Sequence, residues 1–204
     1  ELNPALAALT PVLSKEMSVV FEPGSVLMGD RAGQLARELG VNFAVVASGH
    51  EWRRPDLMKA VNAPFIVPLN LPSAPKLPDE DDWLDVSLDQ LRHWDWAAEN
   101  AALLRAQGLE VALTTHALAD RKVFRKNLRL ALDRGLTERD ALAALTTIPA
   151  RLCGVADRLG TIEKGKIANL TVVEGAGYFD AEAKVRQVWI DGQPDRKSTR
   201  LNSS

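Results

Sequence analysis

The feature that most constrains this chain is an alternation, held over its first two thirds, of short unbroken apolar runs with longer segments of helical spacing. Residues 17–21, 42–47, 65–69 and 111–115 are strand-sized and rich in Val, Ile and Phe. Residues 27–39, 55–61, 98–106 and 123–133 carry apolar side chains at intervals of three and four, the period of a helix. Three of these helical segments run into glycine, at Gly40, Gly108 and Gly135, where a helix C-terminus is expected. Pro55 stands at the first turn of the remaining one, residues 55–61.

Strands that are apolar throughout, with no polar face, are buried on both sides. With helices as connectors they predict a parallel sheet. Two architectures fit four such units: a four-strand doubly wound sheet, or half of an eight-unit barrel, which takes about 250 residues in full. The chain after the fourth unit favours the barrel. Residues 137–147 read as an extra helix, with Thr137 and Asp140 spaced as a capping box. The texture then changes to short strands broken by turn signals, including a strand at 170–173, another at 185–190, and the turn dipeptide Asp191-Gly192. Strands so short are not stable by themselves, so they are expected to complete a small β-structure with strands from elsewhere.

Composition excludes several classes. Lys and Arg total 25 against 27 for Asp and Glu, with no basic stripe, so no nucleic-acid partner is expected. No apolar run approaches the ~20 residues of a membrane span. Cys153 is the lone cysteine and cannot form an internal disulfide, which fits a cytoplasmic setting. The chain opens at Glu1 with no methionine and no visible signal peptide, and a missing front end is expected. Residues 70–88 form a long connection rich in proline and acid, and residues 196–204, RKSTRLNSS, continue no pattern before them and are expected to be non-native.

Residues 141–175, ALAALTTIPARLCGVADRLGTIEKGKIANLTVVEG, resemble the C-terminal signature of the amidohydrolase superfamily, most closely its imidazolonepropionase-like branch. The resemblance rests on Pro149-Ala150, Gly154, Gly160-Thr161, Glu163-Lys164-Gly165-Lys166, Ala168 and the run from Leu170 to Val173; Asn169 stands where aspartate is usual. It implies an α/β fold: the C-terminal half of a (β/α)8 TIM-type barrel, residues 1–153, with strands of a composite β-sandwich at 154–194 and a non-native tail at 195–204. The GKIANL stretch is read as structural, with Lys164 and Lys166 as solvated edge charges.

The resemblance also implies a divalent metal, zinc before others, at the C-terminal ends of the barrel strands. Its ligands are a His-x-His pair after the first strand, a lysine or glutamate after the fourth, histidines after the fifth and sixth, and an aspartate after the eighth. The four strands here would be the last four. Glu22 then takes the fifth-strand position, His50 lies just beyond the sixth strand, and His116 stands in place of the aspartate. Glutamate and histidine both bind zinc, and histidine titrates near neutrality and can move a proton. His116 is therefore the expected catalytic residue, and Glu22, His50 and His116 the expected metal ligands. A histidine at a strand end serves equally well to bond a loop.

Arg53, Trp94 and Trp96 are the candidate substrate contacts: a guanidinium for a carboxylate and two indoles for a wall. The bland reading of residues 92–100 is an ordered loop in which Asp95 or Glu99 starts the next helix. Two functions remain. One is a metal-dependent hydrolase of non-peptide carbon–nitrogen bonds, in amides or cyclic amides, with a small-molecule substrate. The other is a catalytically degenerate barrel acting as a binding or scaffold protein. A homo-oligomer is allowed by either.

Overall fold

The computed structural model describes residues 4–75, 85–180 and 182–195. The acidic part of the long connection, 79–82, and the tail from 196 onward lie outside the described residues. The elements run α1 (Pro4–Ala7), α2 (Thr10–Leu13), β1 (Val19–Phe21), α3 (Val26–Leu39), β2 (Phe43–Val46), α4 (Pro55–Val61), β3 (Phe65–Pro68), α5 (Leu88–Trp96), α6 (Asn100–Ala106), β4 (Val111–Thr114), α7 (Phe124–Asp133), α8 (Glu138–Leu145), α9 (Thr147–Leu152), β5 (Leu170–Glu174), β6 (Lys184–Ile190) and β7 (Gln193–Pro194). The chain divides into two compact units within α8, between Ala141 and Leu142. No described helix is long and apolar enough to cross a membrane.

In the first unit β1 to β4 form one parallel sheet in the order β1-β2-β3-β4. Val19 is paired with Phe43, Val45 with Phe65, and Phe65 with Val111. Each crossover thus moves one strand further in the same direction. A doubly wound sheet reverses direction part-way, and this one does not. Val45, Phe65 and Val111 are almost wholly buried, while Val20 on β1 is exposed.

The helices end where the glycines stand. At the end of α3, Gly40 adopts φ 64°; its N–H donates to the Arg37 carbonyl, and the Val41 N–H donates to the Ala36 carbonyl. These two bonds are the Schellman arrangement, which needs a left-handed residue after the helix. The same pair of bonds recurs around Gly108 and Gly135. Ser25 caps the start of α3 by accepting from the Met28 N–H. Small residues on one side of α3 let α4 approach closely: a Cβ added to Gly33 would lie 3.1 Å from the Val61 side chain.

Thr137 and Asp140 cap α8 as their spacing predicts, with the Asp140 N–H donating to the Thr137 hydroxyl oxygen at 3.1 Å. The helix stops at Leu145 and not at 147. Pro149 has no N–H for the Leu145 carbonyl, and its ring clashes with a continuing helix. Residues 92–96 correct the reading as a loop: they lie in α5, which starts from a capping box between Ser87 and Gln90. Asp95 lies inside α5, and Glu99 stands at the N-cap of α6 but makes no side-chain cap bond; both carboxylates hold Arg134, which follows α7, Glu99 at 2.9 Å.

In the second unit β5, β6 and β7 form an antiparallel sheet. Asp191 and Gly192, both at positive φ, make the two-residue turn between β6 and β7. Lys166 is not a solvated charge: it is half-buried, donating to the Ala156 carbonyl at 2.9 Å and to the Thr161 hydroxyl.

Candidate functional site

Parallel strands bring all their C-terminal ends to one edge of the sheet. That edge carries Glu22 after β1, the Ser48-Gly49-His50 loop after β2, Leu69 and Asn70 after β3, and His116 after β4. The outermost strands meet there. His116 Nε2 and Glu22 Oε1 are 2.9 Å apart. Three strand spacings separate β1 from β4 along the sheet, about 14 Å, so this contact joins residues that follow the two outermost strands. The His116 N–H also donates to the Thr114 hydroxyl oxygen at 3.1 Å, which fixes the turn that presents the ring. Both side chains remain more than half exposed.

His50 does not join them. Its ring stacks on His93 of α5, with centroids 4.0 Å apart and planes 8° from parallel. Its Nδ1 lies 3.2 Å from the Ser48 carbonyl. Among the described residues no three His, Cys, Asp or Glu side chains converge on a point suited to a metal ion.

The loop after β2 is built around a residue that its sequence does not advertise. Glu51 is 3% exposed. Its Oε1 accepts from the Ser48 N–H at 2.6 Å and the Ser48 hydroxyl at 2.8 Å; its Oε2 accepts from the Gly49 N–H at 3.1 Å and the Asn100 amide at 2.7 Å. Asn100, also buried, accepts in turn from the Trp52 N–H. The network locks the β2 loop to α6.

Arg53 is engaged by Asp89 through two bonds of 2.7 and 2.9 Å, and its guanidinium lies 4.9 Å from the centre of the Trp52 ring. Trp94 and Trp96 project from α5 and are each nearly half exposed; Trp96 sits 5.4 Å from Trp52. A small pocket opens between the ends of β2 and β3, lined by Ser48, Gly49, Leu69, Asn70, His93 and Asn100 among others. His93 Nδ1 is buried with no protein hydrogen-bond partner. Burial, then the neighbouring His50 and Arg53, hold the His93 ring below the usual histidine range, with Asp89 opposing them. His93 and Glu51 were both missed by sequence reasoning. A lone histidine in a tryptophan-rich stretch gives no signal of its partner, and a glutamate among arginines reads as surface.

The amidohydrolase family model matches residues 97–194, a stretch that includes β4, His116 and strands β5 to β7. An amidohydrolase from Thermotoga maritima MSB8 shares the fold with a TM-score of 0.72 and 26% identity, over 95% of this chain and 47% of that one. Likeness to the amidohydrolase family thus extends over residues 97–194, and the fold agrees with it. A Xaa-Pro dipeptidase with methionine bound in its active site has the same fold at a TM-score of 0.64 and 20% identity, over 93% of this chain and 47% of that one. So does a prolidase complexed with N-methylphosphonate-L-proline, at 0.64 and 17%, with the same coverage. The chain spans about half the length of those solved structures. Comparison with curated protein sequences gives no match.

A catalytic zinc takes three protein ligands. Glu22 and His116 are two donors of the right chemistry, but they bond each other, and no third described residue joins them. The described residues of this chain do not complete a metal site by themselves.

Proposed function

We propose that this chain supplies the second half of an amidohydrolase active site, acting on carbon–nitrogen bonds of small amides or cyclic amides. In this reading residues 1–153 are the last four units of an eight-stranded barrel, and residues 154–194 are strands of a composite β-sandwich. One observation carries it: Glu22 and His116, from the first and last strands of the sheet, meet at the C-terminal edge. Reactive groups of such barrels lie at that edge, and the monotonic strand order supports an arc of barrel over a doubly wound sheet.

The pair supports proton transfer. An ionised carboxylate only accepts, so Glu22 holds a proton on His116 Nε2 and leaves Nδ1 as the basic nitrogen. Nδ1 then takes a proton from the water attacking the amide carbon. When the carbon–nitrogen bond breaks, the proton passes to the leaving nitrogen. Divalent metal dependence is part of the proposal: with both His116 nitrogens engaged in proton transfer, Glu22 would be the donor this chain offers, and the other ligands would come from outside it.

A second reading keeps the barrel without catalysis. His50 favours it, because the ring expected to ligate is stacked on His93 instead. The test is His116→Ala in the full-length protein. The hydrolase reading expects a fall in turnover of at least about a hundredfold, the lower range for a general acid–base group. It also expects bound zinc to fall when Glu22 and His116 are both removed. Metal-free protein without activity on amides, hydantoins and lactams would establish the second reading.

A further inference from the structure

Three contacts fasten α5 to the loop after β2, and all three come from one side of the helix. Asp89 pairs with Arg53, His93 stacks on His50, and Trp96 lies against Trp52. Residues 89, 93 and 96 are spaced by four and by three, so they form a single stripe along α5. Their partners all fall within residues 50–53, in and beside the 3-10 turn Glu51–Arg53.

These contacts hold α5 lightly. None of its residues is buried as a whole, whereas α6 buries Asn100, Ala101 and Leu104. The Arg53–Asp89 pair faces solvent, where an ion pair contributes little. Trp52 Nε1 and His93 Nδ1 are buried without a protein hydrogen-bond partner, and such atoms count against the docked arrangement. A segment with so few buried contacts belongs to the low-stability end of a fold.

Between α5 and α6 the helical run tightens into a 3-10 turn, Ala97–Glu99. A 3-10 stretch inside a helical run often marks a hinge. Beyond it the chain is held firmly, because the Asn100 amide donates to Glu51 and accepts from the Trp52 N–H. Those bonds fix the β2 loop to α6, not to α5. Arg134 bonds Asp95 and Glu99, so it ties the pivot and leaves the far end of α5 alone. His93 on α5 and Ala97 in the turn line the pocket whose other walls include Ser48, Leu69 and Asn70 at the strand ends.

We propose that α5 is a hinged cover on the pocket between the ends of β2 and β3. It lifts as one helix about the turn Ala97–Glu99 when its three contacts with the β2 loop part, and it withdraws the His93 side of the pocket as it goes. That the opening admits substrate to the C-terminal edge of the sheet rests on the hydrolase reading; the motion does not.

Hydrogen exchange on the full-length protein tests the motion. Amides of residues 91–96 should exchange at least about a hundredfold faster than those of residues 103–106 in α6. Asp89→Ala should speed α5 exchange by about threefold and leave α6 unchanged. A lock tests the gating. Arg53→Cys and Asp89→Cys, in a Cys153→Ser background, are joined by a short bismaleimide and compared with the same protein unjoined. Joining should slow α5 exchange at least about tenfold and lower turnover of an amide substrate by a similar factor. Amides of α5 that exchange as slowly as those of α6 overturn the proposal. So does an Asp89→Ala protein in which α5 and α6 speed up together, since the two would then open as one unit without a hinge. A joined protein that turns over as fast as the unjoined one overturns the gating. Absence of turnover in every form, the parent included, sinks the hydrolase reading, and the exchange rates still decide the cover.

Discussion

Glu51 has no cationic partner among the described residues, yet both of its oxygens are filled by donors. Removing it strands a backbone N–H at Ser48, another at Gly49 and the Asn100 amide. Glu51→Ala should therefore cost roughly 3 kcal/mol, since hydrogen bonds to charged groups are stronger than neutral ones and their orphaned partners stay buried. Glu51→Gln should recover little, because an amide nitrogen would face donors at Oε2. Urea denaturation of the two variants checks both values. Such a residue is invisible beforehand. Its key partner, Asn100, is 49 residues away in sequence, and the neighbouring Arg53 and Arg54 make the segment read as solvent-facing. Position along a strand is what did show: Glu22 and His116 stood out because each follows an apolar run directly. His50 stood out at the same end of its strand, although Ser48 and Gly49 separate it from the apolar run, and a stacking partner on α5 decides where its ring goes.

At the scale of elements, local signals were legible wherever local bonds decide. Gly40, Gly108, Gly135 and the Thr137–Asp140 cap all lie where their sequence spacing placed them. α5 was not legible, because the Trp94-Asp95-Trp96 alternation breaks its helical period and its capping box follows a long stretch of sequence rich in proline and acid. The α8 cap makes a pH prediction. The Thr137 hydroxyl, and then Arg105 at 2.7 Å, hold the Asp140 carboxyl below its ordinary range, although burial opposes them. The folded value is thus lower than the unfolded one, about 3.9. The stabilisation is complete above that value and is lost as pH falls through the folded value. Asp140→Asn should lower stability by about 1 kcal/mol at pH near 7 and show no difference from the parent in strong acid, as read from urea midpoints. Gly160 explains one letter of the C-terminal signature. It has φ 96°, and a Cβ there would lie 2.8 Å from that of Ala150 and 3.2 Å from the Thr146 carbonyl. Gly160→Ala should cost about 3 kcal/mol, from backbone strain and overpacking together, and calorimetry would show it as a lowered Tm.

For the molecule as a whole, the parallel sheet was predictable because its strands are apolar on both faces, and the hand of the crossovers leaves few arrangements open. Among the described residues β1 pairs only with β2 and β4 only with β3. Each keeps an edge without a strand partner, and Val20, Leu27, Met28 and Leu35 add exposed apolar surface near β1. The 204-residue chain expressed alone is therefore expected to self-associate. Light scattering should find it polydisperse, and finding a stable monomer with a reversible transition would count against the half-barrel reading. The strand order has a further consequence, for the way the sheet is made. Because every strand pairs with its predecessor, the sheet can zip up from β1 as the polypeptide emerges, with no strand waiting for a distant one. The steps are unequal. Val45 meets Phe65 after 20 residues, but Phe65 meets Val111 only after 46. That longer loop raises the entropy of closure by only about 0.7 kcal/mol. It still makes β4 the last strand to dock, so the Glu22–His116 contact would be the final event in forming this sheet.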